Sequence, residues 1–195
     1  SLSATSREIE QALEDSGAEC FVGLRGKEPP AGIRALVYED IDFSSTRSLP
    51  ELRPEQAAMI LFTSGTTNRP KGVVTTHANL QAQIESLVEA WEWSPEDRIP
   101  LFLPMHHIHG IVNIAGCALW SGAMVEVFPK FDLKAVLPRV AGGAYTLFMA
   151  VPTIYVKLIE ALESGNLAEV DRVLTGFAAM RLMVSGSAAL PPSIH

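Results

Sequence analysis

Thr63-Ser64-Gly65-Thr66-Thr67-Asn68-Arg69-Pro70-Lys71-Gly72 packs four hydroxyls, two glycines and a lysine into one short polar segment. Apolar residues border it on both sides, Ala57-Ala58-Met59-Ile60-Leu61-Phe62 before and Val73-Val74 after. Two such runs around a Gly/Pro/Asn-bearing break predict strand, loop, strand. The loop is rich in donors and holds no carboxylate to repel an anion, which suits a polyphosphate. Glycine lets the backbone approach, N–H groups and hydroxyls donate, and Lys71 adds a point charge. A solvated Ser/Thr turn is the plain alternative; the ordered hydroxyls, the Pro-Lys-Gly end and the flanking strands favour the phosphate cradle.

This is not a Walker A loop, which runs from Gly through four residues to Gly-Lys-Ser/Thr and opens a helix. Here Pro70 precedes the lysine and Gly72 follows it. Proline disfavours helical angles at Arg69, and Val73-Val74-Thr75-Thr76 resumes as a strand. The expected phosphate grip is a hinged hairpin loop.

The 195 residues can bury a sizeable core, and 48% hydrophobic against 19% charged residues is a globular balance. A net charge of -7 with no basic cluster argues against nucleic-acid binding but leaves room for a local cationic pocket. Cys20 and Cys117 fit no metal or redox spacing, and Cys117 reads as a buried small hydrophobe. The first residues show no secretory signal pattern. Gly110 to Val127, the most apolar part, contains Asn113, Ser121 and Glu126 and reads as a buried helix running into a strand rather than a membrane span. No internal repeat or low-complexity tract is visible.

Taken in order, Ser6 to Gly17 has helix grammar, with Ser6 as the cap, Ile9, Ala12 and Leu13 on one face and Gly17 as the stop. Ala18–Leu24 reads as a buried strand and Ala35–Tyr38 as another. His77–Trp93 is an amphipathic helix with Thr76 as its cap. Strands are then expected at 98–103, 123–128, 145–149 and 181–185. Helices are expected at 111–120, 133–140 and 153–163, the last opened by Pro152, with one more before Arg181. Strands alternating with helices predict an α/β layered fold, a mostly parallel sheet flanked by helices. Alternation unfinished at His195 reads as a piece of a longer protein.

Four segments together resemble the adenylate-forming superfamily of acyl-CoA synthetases, peptide-synthetase adenylation domains and luciferases. Thr63–Gly72 is similar to its signature loop. Leu103-Pro104-Met105-His106-His107-Ile108-His109-Gly110 resembles its Pro-x-x-His segment beside the acyl pocket, and Ala150-Val151-Pro152-Thr153-Ile154-Tyr155 its Val-Pro-Thr helix start. Val184-Ser185-Gly186-Ser187-Ala188-Ala189-Leu190 resembles its adenine-side turn. The His-His-x-His-Gly and Arg-Leu-Met-Val-Ser-Gly-Ser-Ala-Ala-Leu forms are most similar to the malonyl-CoA and methylmalonyl-CoA synthetase group. The resemblance implies the central portion of the large N-terminal domain, with 1–54 an incoming helix and strand segment, 55–195 the ATP- and acyl-binding subdomain, and the C-terminal domain absent.

The implied reaction has two steps. A carboxylate attacks the α-phosphate of ATP, giving an acyl-adenylate and pyrophosphate, and the CoA thiol then displaces AMP. The first step needs charge neutralisation and in-line positioning rather than covalent work by a side chain. By resemblance Thr63, Ser64, Gly65, Thr66, Thr67, Asn68, Arg69, Pro70 and Lys71 hold the phosphates, with motion of the loop releasing pyrophosphate. Asn68 stands where the family usually has glycine. Asparagine tolerates left-handed backbone angles, so the turn survives but stiffens.

His107 is by resemblance the histidine at the acyl/AMP junction, in contact with the adenylate. His106, His107 and His109 could suggest zinc, yet no Cys, Asp or Glu lies nearby to complete a ligand set. Ser185, Gly186, Ser187 and Ala188 are expected to wall the adenine, their small side chains letting the backbone lie against the ring. A Gly-x-Ser-x-Gly elbow is absent, which removes a serine hydrolase reading. Arg181 is a candidate for the second carboxylate of a dicarboxylic substrate, since a guanidinium can bind it bidentately; an ion-pair former is the alternative.

The family's later Tyr-Gly-x-Thr-Glu segment, whose glutamate holds Mg2+, its ribose-binding aspartate and its C-terminal lysine fall outside this sequence, so this piece alone is expected to be inactive. The expected whole protein is an AMP-forming acid–thiol ligase using ATP, Mg2+ and CoA on a small carboxylate such as malonate or methylmalonate. Its partners are small molecules, without nucleic acid or a membrane span, and the expected compartment is the cytoplasm, with an organelle-targeting segment ahead of Ser1 left open. A fatty-acid or aryl-acid CoA ligase, a peptide-synthetase adenylation domain and a non-catalytic nucleotide-binding module are the competing readings.

Overall fold

The structure is a computed structural model that describes residues 5–26, 32–44, 48–63, 70–165 and 167–191. Its contacts divide the chain into two units, Ser1–Asn79 and Leu80–His195. The division falls later than the 54/55 boundary read from the sequence. The loop-bearing hairpin pairs with itself and packs beside the first helix, which keeps it in the first unit.

Helix α1, Ser6–Ser16, opens that unit. Its cap is Thr5, one residue ahead of the expected Ser6. The Thr5 hydroxyl accepts from the Glu8 N–H while the Thr5 N–H donates to the Glu8 carboxylate at 2.7 Å, a reciprocal capping box. Gly17 ends the helix at φ 63°, as expected. Strands β1, Cys20–Gly23, and β2, Arg34–Val37, pair in parallel. The strand expected to be buried keeps Val22 exposed, because a two-stranded ladder leaves faces open. Strands β3, Ala57–Thr63, and β4, Lys71–Thr76, form the antiparallel pair that the opening stretch predicts. Gly72 lies where a Cβ would meet the Ile60 side chain at 3.0 Å.

Helix α2, His77–Ala90, begins in this unit and runs into the next. Thr76 caps it as expected, accepting from the Asn79 N–H at 3.1 Å, and Asn79 answers by accepting from the Thr76 N–H at 3.0 Å.

The second unit carries the expected α/β layering. Strand β5, Arg98–Leu101, pairs in parallel with β6, Met124–Val127, and β7, Leu147–Ala150, pairs in parallel with β8, Leu182–Ser185. β5 and β7 lie side by side, tied where the Thr146 N–H donates to the Arg98 carbonyl at 2.9 Å. Around them stand α3, Cys117–Ser121; α4, Leu133–Ala141; α5, Pro152–Glu163; and α6, Leu167–Ala178. Ile99, Leu147, Phe148, Met149, Ile114, Val136 and Val140 are fully buried at the centre. Each such side chain contributes about 1.5–3 kcal/mol through its burial. Cys117 is among them, and burial pushes its thiol up to about 11. Gly176 lets α6 approach α4: a Cβ there would overlap the Val140 carbonyl.

The helix expected over 111–120 departs from the usual form. It starts at His109, runs as a wider π-type turn through Gly116, and becomes α-helical only at Cys117. Such widened turns recur at functional sites.

Candidate active site

Three of the four sequence segments meet in the second unit. Leaving β5, the chain turns at Leu103-Pro104, where the His107 N–H donates to the Pro104 carbonyl at 3.1 Å. The N–H groups of Gly110 and Ile111 then both donate to the His107 carbonyl, at 3.0 and 3.1 Å, and start the widened helix. Gly110 is required here: a Cβ would stand 2.6 Å from the Pro104 carbonyl oxygen. His109 is thereby turned inward to 5% exposure, while His107 stays exposed.

The Val-Pro-Thr segment follows β7. Val151 is extended, and Pro152 takes the first position of α5, where a missing N–H costs nothing. One turn on, the Tyr155 hydroxyl donates to the Val184 carbonyl of β8 at 2.8 Å. β8 continues the register Ala150↔Ser185, and the Gly186 N–H donates back to the Ala150 carbonyl at 3.1 Å. The chain then turns sharply at Ser187, a non-glycine residue at φ 69°. Its Oγ lies 3.1 Å from His109 Nδ1. Gly186 passes so close that a Cβ would come within 3.0 Å of the His109 ring.

Leu103, Pro104, His107, Ile108, His109, Val151 and Ser187 line one cleft of about 390 Å³. Its wall is mainly apolar, with two imidazoles and one hydroxyl as the polar groups. Burial holds His109 below the ordinary 6.5, so at neutral pH it is an uncharged donor and acceptor. Among the described residues, its Nε2 is buried without a protein partner, as is Ser185 Oγ. An apolar cleft with a few convergent polar groups is the usual form of a small-molecule site.

A match to the AMP-binding enzyme family covers residues 1–195. The chain belongs to the AMP-binding enzyme family. It is 46% identical over 144 residues to the mitochondrial malonate–CoA ligase of Xenopus laevis, covering 70% of this chain and 25% of that protein. The human mitochondrial malonate–CoA ligase is 43% identical over 150 residues, covering 71% of this chain and 26% of that protein. A solved malonyl-CoA ligase carrying methylmalonyl-CoA and AMP superposes with a TM-score of 0.82 at 29% identity, over 97% of this chain and 40% of that one. The chain thus spans about a quarter of the curated relatives' length and two-fifths of that solved chain. The α/β fold expected from the alternating pattern is the fold of this AMP-binding family member.

Of the expected phosphate residues, Ser64 to Arg69 lie outside the described residues. The ends are described: Thr63 pairs with Lys71 across the hairpin, the Thr63 hydroxyl donating to the Lys71 carbonyl at 3.4 Å.

Arg181 is occupied elsewhere. Its Nε donates to Asp97 Oδ1 at 2.8 Å, one terminal nitrogen to Asp97 Oδ2 at 2.5 Å, and the other to the Trp91 carbonyl at 2.7 Å. Asp97 is buried at 2% exposure and also accepts from the Thr146 hydroxyl and the Ser94 N–H. Burial alone would raise the Asp97 carboxyl; the bonds from Arg181, Thr146 and Ser94 and the Arg181 charge outweigh it and bring the group down to about 2. Of the two readings of Arg181, the structure describes the ion pair, its guanidinium fork holding a buried carboxylate.

His107 is the histidine that the sequence pattern points to; the burial of His109 against Ser187 is not marked in that pattern. The available signal was Gly110 next to it, a glycine that forces a close backbone approach and sets the preceding side chain inward. Asp97 was missed as well; its only mark was an acid directly ahead of an apolar strand.

Proposed function

We propose that the full-length protein is an ATP-dependent, AMP-forming acyl-CoA synthetase that activates a small carboxylate, with malonate or methylmalonate as its acid. The observation that carries this reading is the meeting of the Pro-His, Val-Pro-Thr and Ser-Gly-Ser segments around one cleft. Family membership and the malonate-activating relatives support it.

In this reading the hairpin loop Thr63–Lys71 grips the β- and γ-phosphates by hydroxyls, backbone N–H groups and the Lys71 charge. Ser185, Gly186, Ser187 and Ala188 form the wall for adenine. His107, exposed on the cleft, faces the junction of acyl group and AMP and donates to the oxygen on which charge develops. The apolar wall of Leu103, Ile108 and Val151 limits water around the reacting carboxylate. Mg2+ is proposed to accompany the nucleotide phosphates, with its main protein ligand the glutamate of the family's later segment outside this sequence. CoA is the second substrate. No described helix is long and apolar enough to cross a membrane. The proposed compartment is the cytoplasm, with the mitochondrion of the vertebrate relatives as the competing placement.

The test is product analysis of the full-length protein with ATP, CoA and, in turn, malonate, methylmalonate, octanoate and coumarate. Malonyl-CoA or methylmalonyl-CoA with equimolar AMP supports the reading. Thioester formation from octanoate or coumarate alone would place the enzyme with the fatty-acid or aryl-acid ligases, and no thioester from any acid would leave a nucleotide-binding module.

A further inference from the structure

The contact between His109 and Ser187 joins two segments 78 residues apart in sequence. We propose that His109 is a positioning residue that holds the Ser185–Ala188 turn, through Nδ1 and Ser187 Oγ, in the shape that receives the nucleotide. This rests on the reading of that turn as the adenine wall.

The turn needs holding. Ser187 sits at φ 69°, in the left-handed region that side-chain-bearing residues seldom adopt and that persists only where surroundings over-determine it. Up to Gly186 the ladder to β7 fixes the backbone, ending with the Gly186 N–H on the Ala150 carbonyl. Past that point the side-chain tie given by the described residues is the imidazole, on Ser187 Oγ.

The imidazole is itself fixed. The widened helix begins at His109, Gly110 seats the backbone against Pro104, and the ring is buried to 5% exposure. Being neutral, it carries one ring proton and one lone pair, and Nδ1 meets the Ser187 hydroxyl at 3.1 Å as acceptor or donor according to the tautomer. Gly186 presses against the same ring, so ring and turn are shaped to each other.

Packing alone does not account for a histidine here. Its Nε2 is buried without a protein partner among the described residues, a cost that an apolar side chain of similar volume would avoid. The compensating interaction is on the Nδ1 side, where Ser187 stands in the lining of the cleft.

The experiment compares His109→Asn, His109→Gln and His109→Leu in the full-length protein, measuring KM for ATP, kcat and melting temperature. An Asn amide falls near the place of Nδ1, a Gln amide near Nε2, and Leu supplies neither. The expected result is a rise in ATP KM of about tenfold for Leu and Gln, the scale of one hydrogen bond, and less than about threefold for Asn. The fall in kcat should be smaller than the rise in KM. Ser187→Ala should match Leu, and the Leu/Ala double variant should be no worse than either alone. Equal ATP KM for Asn and Leu, or effects that multiply in the double variant, would overturn the proposal. Should Leu fail to fold, the Asn, Gln and Ser187→Ala values still decide. Ala188→Trp tests the underlying reading separately: unchanged ATP KM removes the adenine wall, and the proposal with it. A raised ATP KM in Ala188→Trp beside unchanged His109 variants removes the proposal alone.

Discussion

Arg181 and Asp97 form a two-pronged ion pair, Nε to Oδ1 at 2.8 Å and a terminal nitrogen to Oδ2 at 2.5 Å. It bolts the entry of β8 to the residue preceding β5, and through Thr146 it also reaches the start of β7. Truncating one partner of such a buried pair leaves the other uncompensated. Asp97→Ala should therefore cost about 3 kcal/mol, the low end for buried pairs because Arg181 keeps a third of its side chain exposed. Urea unfolding measures it; a loss below about 1 kcal/mol would show a pair no stronger than a surface one.

Arg181→Lys keeps the charge and loses the fork. The expected outcome in full-length protein is a lower melting temperature with the KM for the carboxylate changed by less than about twofold, since the lost bonds are to Asp97 and Trp91. A large, selective rise in the carboxylate KM at unchanged stability would restore the substrate role.

The pH dependence of stability has two windows. Asp97 titrates near 3.8 unfolded and near 2 folded, so the unfolded chain binds the proton first as pH falls. Stability from this group is complete above about 4 and is lost progressively towards pH 2, by about 2 kcal/mol in all. His109 is also lowered, by burial, from 6.5. Below 6.5 the unfolded chain again takes up its proton first, so stability falls until the folded imidazole titrates too. His106, lowered by burial and by neighbouring His107, acts in the same direction. Denaturant midpoints between pH 8 and pH 4 should show the upper window, reduced in His109→Asn; a midpoint that rises as pH falls would contradict it.

Gly110 and Gly176 are both positions where added volume meets backbone. A Cβ would lie 2.6 Å from the Pro104 carbonyl oxygen at the first and would overlap the Val140 carbonyl at the second. Each Gly→Ala change should destabilise by about 1–3 kcal/mol despite the better helix propensity of alanine. Gly176→Ala should be the more severe in unfolding and should leave substrate KM values alone, whereas Gly110→Ala should raise them by displacing His109.

The fold was legible where local chemistry and tertiary packing agree. Thr76 caps α2, Pro152 opens α5 and Gly17 closes α1 as their residue types require. The Pro-x-x-His, Val-Pro-Thr and Ser-Gly-Ser segments were recognisable individually, and the structure gathers them at one cleft. Less visible were features that depend on residues far away. Nothing local tells that Arg181 will find Asp97 across 84 positions, or that it will be occupied before any substrate arrives. The widened helix at His109–Gly116 carries ordinary apolar periodicity, and neither its width nor the close approach of Gly110 to the Pro104 carbonyl is marked in that pattern. His109 and His107 look equivalent on paper, and only the fold separates a buried imidazole on Ser187 from an exposed one on the cleft.

In the proposed reaction an acyl-adenylate forms at this cleft before any thioester. Exchange of labelled pyrophosphate into ATP by the full-length protein, with CoA left out, tests it most directly. The expected result is exchange that requires malonate or methylmalonate and proceeds without CoA. Exchange that depends on CoA, or turnover that yields ADP and phosphate in place of AMP and pyrophosphate, would contradict it.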